Sequence, residues 1–261
     1  MKANPPRLAL VASTSKKARS MKKILEKGIE LVPPEQADRI VVLGGDGFML
    51  RSLHQFQSLG KPVYGINCGT VGFLMNSPDI QSVDDLFQRL KAAETTVLHA
   101  LKMDTITTQG VAVSHYAINE VSLLRQTHQA VKIRITVNGV VRLEELIGDG
   151  LIVATPAGST AYNFSAHGPI LPLGTPLLAL TPLSPFRPRH WRGALLHNTA
   201  HIRLDILDAD HRSISATADD RTVQSVQRVD IYQDQTIGFA LLFDPGHNLE
   251  TRILREQFIG F

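Results

Sequence analysis

Apolar and polar positions follow two alternating rhythms over the first hundred residues. Leu8 to Ala12 is a short unbroken apolar run, the pattern of a buried strand. Ser13 to Lys27 is basic and helix-compatible, with Gly28 as its stop. Ile40 to Leu43 is a second apolar run and ends abruptly in Gly44-Gly45-Asp46-Gly47. Beyond that turn Leu50, Leu53, Phe56 and Leu59 recur every third residue, which predicts a helix with one buried face, closed by Gly60. Val63 to Asn67 predicts a third strand. Ser82 to Glu94 predicts another helix, opened by Ser82 with Asp85 three residues on. This alternation implies a Rossmann-like parallel sheet covered by helices.

From about Thr95 the texture changes to strand-like runs with no helical pattern between them. They are His115 to Leu124, Val131 to Val137, Val140 to Leu143 and Leu151 to Ala154, then His201 to Leu207, Ser213 to Ala218, Val226 to Tyr232 and Phe239 to Phe243. Asn138-Gly139 between two of them is a two-residue hairpin signal. The second half therefore reads as an antiparallel all-β domain with a boundary near residues 95–100. The proline-rich stretch from Pro169 to Pro188 reads as loop or sheet edge.

The 261 residues carry 27 Lys+Arg against 24 Asp+Glu, a net charge of +3, with 43% hydrophobic and 20% charged residues. These values exclude disorder, collagen and coiled coil as the main class, and the charge is too small to predict a nucleic-acid partner. Cys68 is the one cysteine, which excludes an internal disulfide or a Cys-rich metal site. No apolar stretch is long enough for a signal core or a membrane span, so the expectation is a soluble cytoplasmic protein without membrane contact.

Three features carry candidate chemistry. Gly44-Gly45-Asp46-Gly47 lies between a buried strand and a helix N-terminus, where an open α/β sheet binds ligands. Glycines let a phosphate approach the backbone, and free helical N–H groups favour an anion. Asp46 would repel that phosphate, so it reads either as a base facing an acceptor alcohol or as a plain helix cap. Gly148 to Tyr162 holds a second Gly-Asp-Gly, a strand, and small hydroxylated residues around Gly158. Thr155, Ser159, Thr160 and Tyr162 suit the lining of a flat polar ligand, or equally a turn before a capped helix. Asn119-Glu120 is a polar pair inside an apolar strand, read as a solvated sheet face unless partners bury it.

Together these features resemble the NAD kinase family of ATP-dependent enzymes that phosphorylate NAD to NADP. The matching segments are 44–47, Cys-Gly-Thr-Val-Gly-Phe-Leu at 68–74, Asn119-Glu120, and 149–163 followed by Gly-Pro-Ile-Leu at 168–171. The resemblance implies that Asp46 is the general base taking the proton of the adenosine 2′-hydroxyl as it attacks the γ-phosphate of ATP. It implies phosphate contacts from Gly44, Gly45 and Gly47, with Arg51 as a charge partner. NAD contacts are implied for Gly47, Phe73, Asn119, Glu120, Asp149, Ala157, Thr160, Ala161, Tyr162, Asn163 and Ser165. Mg²⁺ is implied as the divalent metal that accompanies ATP, with no protein metal ligands assigned. Residues 1–97 joined by 244–261 are the implied nucleotide-binding domain, with 98–243 a β-sandwich-like NAD-binding domain. A homodimer or homotetramer is the implied assembly.

The chain also departs from the family pattern. Ala157 stands where relatives carry a hydroxylated residue, and Asp219-Asp220-Arg221 stands where Asp-Gly is usual, so Asp219 is matched to the family aspartate. The proline- and arginine-rich stretch 172–192, ending Arg187-Pro188-Arg189-His190-Trp191-Arg192, has no counterpart and suits a subunit interface or a lid. A lipid-alcohol kinase of the diacylglycerol and sphingosine group, or a nucleotide sensor without catalysis, are the alternative readings. Asp46 speaks against the sensor, and 148–162 against the lipid kinase. The His197/His201 pair and the basic cluster at 16–27 predict no metal site and a solvated helix face respectively.

Overall fold

The computed structural model describes residues 5–69 and 72–246. The chain divides into two units, one of residues 1–98 with 238–261 and the other of 99–237. The first contains β1 (Leu8–Ala12), α1 (Lys16–Leu25), β2 (Arg39–Gly44), α2 (Asp46–Phe56), β3 (Val63–Asn67) and α3 (Val83–Ala92), and β4 (Glu94–Thr107) leads out of it. The second continues with β5 (Ala112–Ala117), β6 (Glu120–Arg125), β7 (Val131–Val137), β8 (Val140–Gly148), β9 (Gly150–Ala154) and the single turn α4 (Tyr162–Ser165). There follow β10 (Leu177–Leu183), β11 (Ala194–His197), β12 (Ile202–Leu207), β13 (Ile214–Ala218) and β14 (Arg221–Val223), after which β15 (Val226–Phe243) carries the chain back.

In the first unit β1, β2 and β3 are parallel neighbours, as the alternating pattern predicts. Ile40 to Gly44 are all buried, as expected for a parallel strand covered on both faces. The Ser15 hydroxyl accepts from the Ala18 N–H, so α1 starts at Lys16 rather than Ser13. Ala18 and Leu25 of α1 and Leu86 and Leu90 of α3 pack with Leu8, Val41, Tyr64 and Ile66 in one core. Gly60 ends the helical stretch after α2 at φ 59, the left-handed position glycine takes without strain.

The returning strand lays Leu241 and Leu242 parallel to Val63 and Tyr64. A buried polar knot fixes it there. Fully buried Asn76 donates from Nδ2 to Gly65 O (3.1 Å) and Leu242 O (2.9 Å), and its Oδ1 accepts from the Asp244 N–H at 2.9 Å. The Tyr64 hydroxyl donates to Asp244 Oδ1 at 2.6 Å, and Arg89 reaches Oδ2 at 3.3 Å. Burial, then the Asp244 carboxylate, pushes the Tyr64 hydroxyl up, so it stays a donor. Asp244 thus packs in the first unit, while residues 247–261 of the expected tail lie outside the described residues.

The second unit is a sandwich of antiparallel strands. One sheet runs β11-β10-β9-β6-β13-β14. Opposite it β12 lies between β7 and β15, β8 flanks β7, and β4 pairs with β5. Val121, Leu123, Leu151, Val153 and Leu178 meet Ile133, Ile135, Leu204 and Val229 in the core. Asn138 (φ 51) and Gly139 (φ 77) form the expected hairpin between β7 and β8, both left-handed as such a turn requires.

Several segments differ from the sequence reading: β4, β11 and β14 are additional to the expected strands, and β15 joins the two runs expected at 226–232 and 239–243. The proline-rich stretch contains β10, an interior strand rather than a loop. Its Pro182 is tolerated because β11 covers β10 only over Leu177–Leu180, leaving that side unpaired at Pro182. The run from His115 to Leu124 is two strands, interrupted at Ile118-Asn119.

Replacing Asn76 with alanine orphans the Asp244 N–H and removes both donors to buried carbonyls. Asn76→Ala is expected to cost about 2–3 kcal/mol, roughly 5–10 °C in thermal melting. A shift under about 1 °C contradicts the pinning role.

Candidate functional site

In the first unit the expected centre is Asp46. Gly45, extended at φ −114, caps α2 without a side-chain bond, and Asp46 is the first helical residue rather than the cap. Its carboxylate reaches across the turn: Oδ2 accepts from the Phe73 N–H at 2.7 Å and Oδ1 from the Leu74 N–H at 3.0 Å. A Cβ on Gly72 would lie 3.0 Å from Asp46 Oδ1, so glycine there lets the 72–74 segment close on the carboxylate. Among the described residues, a Cβ on Gly45 or Gly47 would meet nothing within 4 Å, whereas one on Gly44 would strike Phe48. Gly44 therefore serves packing. Gly45 and Gly47 leave open space over the helix N-terminus, the arrangement that admits an anion. Arg51 is exposed one turn on, its guanidinium 5.9 Å from the Phe48 ring centre, and Phe73 is half-buried.

In the second unit the interruption between β5 and β6 presents Asn119 and Glu120. Both residues are half-buried, yet Asn119 Oδ1 and Glu120 Oε2 are closed off from solvent and have no hydrogen-bond partner among the described residues. Burial first, and the Asp219 charge second, push the Glu120 carboxyl from its ordinary 4.5 up to about 8. Glu120 is thus neutral at neutral pH.

The 155–163 loop is built from its own side chains. Thr155 Oγ1 donates to Ile118 O (2.7 Å) and accepts from the Gly158 N–H (3.1 Å). Ser159 Oγ donates to Pro156 O at 2.7 Å and accepts from the Leu171 N–H at 2.9 Å. A Cβ on Gly158 would collide with Asn119 O, so only glycine lets this loop lie against the strand break. Asn163, expected in the pocket lining, is fully buried: Nδ2 donates to Pro169 O at 2.9 Å and Oδ1 accepts from the Thr181 hydroxyl at 2.6 Å. Its side chain frames the loop. Ala157 is buried, Thr160 and Ala161 half-buried, and Tyr162 and Ser165 exposed.

Asp149 is paired. Arg125 Nε donates to its Oδ1 at 2.6 Å. The flanking glycines answer to packing: a Cβ on Gly148 would lie 2.8 Å from Leu183 O, and one on Gly150 would collide with Leu123 O. Burial first, then the nearby Glu120 and Asp149 carboxyls, raise the Tyr162 hydroxyl, so it stays protonated.

Tyr162 and Ser165 also line a cavity of about 510 Å³ within this unit, with His167, Ser184, His190, Trp191 and Arg192 among its walls. Among the described residues no carboxylate lines it. His167 (φ 59), Ser184 (φ 45) and His190 (φ 65) all hold left-handed backbone, a strain concentrated on one cavity. The sequence reading missed this cavity, though Arg187–Arg192 marks its rim. It also missed Arg125, whose place in an ordinary strand run gave no signal.

Comparison with known proteins bears on both units. Residues 7–95 match the model of the ATP-NAD kinase N-terminal domain, and 118–235 that of the C-terminal domain. The chain is 52% identical over 255 residues to an NAD kinase of Cereibacter sphaeroides, covering 98% of this chain and 99% of that one. It is 54% identical over 253 residues to an NAD kinase of Xylella fastidiosa, covering 97% and 96%. The crystal structure of an Archaeoglobus fulgidus NAD kinase with ATP has TM-score 0.73 at 25% identity, covering 97% of this chain and all of that one. A yeast NADH kinase with NADH is similar in fold, with TM-score 0.83 at 22% identity and coverage of 99% and 90%.

Because the folded chain binds a proton on Glu120 that the unfolded chain has lost, its contribution to stability falls as pH rises from about 4.5 to about 8. Glu120→Gln has no such proton. The stability of Glu120→Gln relative to wild type is therefore expected to rise between pH 5 and 8, by at most about 1.4 kcal/mol per unit. A difference constant with pH overturns the assignment. Gly158→Ala is expected to cost at least about 2 kcal/mol in the same denaturation experiment, since backbone rather than a side chain blocks the new Cβ.

Proposed function

The chain belongs to the ATP-NAD kinase family, and from that membership, which makes it an ATP-dependent NAD kinase, we propose how its own residues carry the reaction. Asp46 takes the proton of the adenosine 2′-hydroxyl. The 2′-oxygen forms its bond to the γ-phosphorus of ATP as the bond to the β,γ-bridging oxygen breaks, and ADP leaves with that electron pair. The observation that carries this role is the fixed carboxylate of Asp46, held by the Phe73 and Leu74 N–H groups at an open helix N-terminus. A carboxylate has about four lone-pair positions, so two amide bonds can set its orientation without preventing proton acceptance.

Gly45 and Gly47 admit the phosphates, Gly44 shapes the turn beneath them, and Arg51 supplies a positive charge nearby. Mg²⁺ enters with ATP as part of the substrate and neutralises its phosphate oxygens. On the NAD side Asn119 and Glu120 offer buried polar atoms that a ribose diol or an adenine amine would satisfy. Phe73, Ala157, Thr160, Ala161 and Tyr162 add apolar surface and backbone groups, while Asp149 and Ser165 contribute at the rim. The cavity beside Tyr162, lined by aromatic, histidine and arginine side chains, suits the rest of an anionic dinucleotide. Exposed Val140 and Val141 on β8 and Leu195 on β11, both at sheet edges, favour a homodimer or homotetramer. No described helix is long and apolar enough to cross a membrane. The cytoplasm, where both nucleotides and reduced thiols such as Cys68 are kept, is the proposed compartment.

The test is NADP⁺ formation from NAD⁺, ATP and Mg²⁺, with Asp46→Asn as the paired variant. Turnover is expected to fall about 10²- to 10⁴-fold while NAD⁺ affinity changes less than about threefold. Near-normal turnover removes Asp46 from the base role. Saturable NAD⁺ binding without any NADP⁺ from wild type favours the sensor.

A further inference from the structure

Asp219 stands at φ 51, a left-handed position that few non-glycine residues occupy. From there its carboxylate turns onto the interruption between β5 and β6. Oδ2 accepts from the Ile118 N–H at 2.7 Å, and Oδ1 from the Asn119 N–H at 3.0 Å and, at a longer 3.4 Å, from the Glu120 N–H. The Asp219 N–H in turn donates to Glu120 O at 3.2 Å. Thr155 takes the other two carbonyls, its hydroxyl donating to Ile118 O and its N–H to Asn119 O at 2.9 Å. Every backbone polar group of the three-residue segment is therefore held, and by only two residues. The Asn119 and Glu120 side chains, meanwhile, keep buried polar atoms without a partner.

We propose that Asp219 is a positioning residue for NAD: its carboxylate clamps the 118–120 backbone so that Asn119 and Glu120 are presented to the dinucleotide already in place. The inference rests on the reading that these two side chains touch NAD. Ile118 and Asn119 lie in neither β5 nor β6, so no strand ladder fixes them, and unless something else does the segment must be ordered when NAD binds, at a cost in affinity. The clamp removes that cost beforehand. It also places a fixed negative charge beside Glu120, which helps keep that carboxyl protonated next to an anionic substrate.

Two variants separate the carboxylate from the backbone shape. Asp219→Gly keeps the left-handed turn and loses the carboxylate. Asp219→Asn keeps one acceptor oxygen and loses the charge. Both are expected to raise KM for NAD⁺ at least tenfold with KM for ATP changed less than twofold, and with the glycine variant the worse of the two. KM for NAD⁺ is expected to rise at alkaline pH as Glu120 loses its proton, and in Asp219→Asn that rise is expected to begin at lower pH, because the charge that helps hold the proton is gone. A scaffold role alone predicts lower melting temperatures with neither the KM split nor the pH shift, and that result overturns the proposal. Asn119→Ala tells the two readings apart. If it leaves KM for NAD⁺ unchanged, the NAD contact itself is wrong. If it raises KM and the Asp219 variants do not, only the clamp is wrong. Should both Asp219 variants fail to fold, amide hydrogen exchange on the wild-type enzyme decides. Protection over 118–120 as strong as in β9 before NAD⁺ is added supports the clamp, and free exchange until NAD⁺ is added overturns it.

Discussion

A strand that stops inside a sandwich must find partners for its backbone, and at Ile118 and Asn119 the chain has no neighbouring ladder to supply them. The cost of leaving such groups unpaired in a buried setting is about 1–3 kcal/mol each, so the interruption survives only because other residues close it. Asp219 takes the N–H groups and Thr155 two of the carbonyls. Much of the second unit's local architecture follows. Thr155 can reach only if the loop after β9 lies against the break, Gly158 is required for that approach, and Ser159 and Asn163 brace the loop from behind.

This dependence on distant partners explains what was legible in the sequence. The alternation of apolar runs and helical periods specified the parallel sheet and its three helices, because those signals repeat over several residues and are local. The hairpin at Asn138-Gly139 was legible for the same reason. The run from His115 to Leu124 was apolar enough to read as one strand, and only the opposing Asp219, a hundred residues away, reveals why it breaks. β10 was hidden by proline chemistry that is harmless where a neighbour strand ends. The resemblance to a family pointed to Asp46, Asn119-Glu120 and the 149–163 block, but not to which side chains face a ligand and which, like Asn163, face inward.

The two Gly-Asp-Gly segments show how little a motif says without its surroundings. At Gly45 and Gly47 the missing side chains leave open space above a helix N-terminus. At Gly148 and Gly150 they let two backbones approach until a single methyl group would collide. The same three letters thus leave open space in one unit and bring backbones into contact in the other. The aspartates differ accordingly: Asp46 is oriented by backbone amides, whereas Asp149 is matched by the Arg125 guanidinium.

An enzyme that brings two phosphate-bearing nucleotides together would be expected to avoid acidic residues, and a net charge of +3 supplies little long-range attraction to offset them. Its acids are instead managed locally, each by a different neighbour. Asp46 and Asp219 are balanced by backbone N–H groups, Asp149 by an arginine, and Glu120 by keeping its proton. Each device retains the hydrogen-bonding capacity of a carboxyl group while reducing the negative field that an approaching phosphate meets. Amides suit the base role proposed for Asp46, because they orient the charge without neutralising it. Burial suits Glu120, where a neutral group that both donates and accepts can meet a ribose or a base. The acids therefore sort by the partner of each carboxyl group rather than by its position in the motif, and the roles proposed for them follow that sorting.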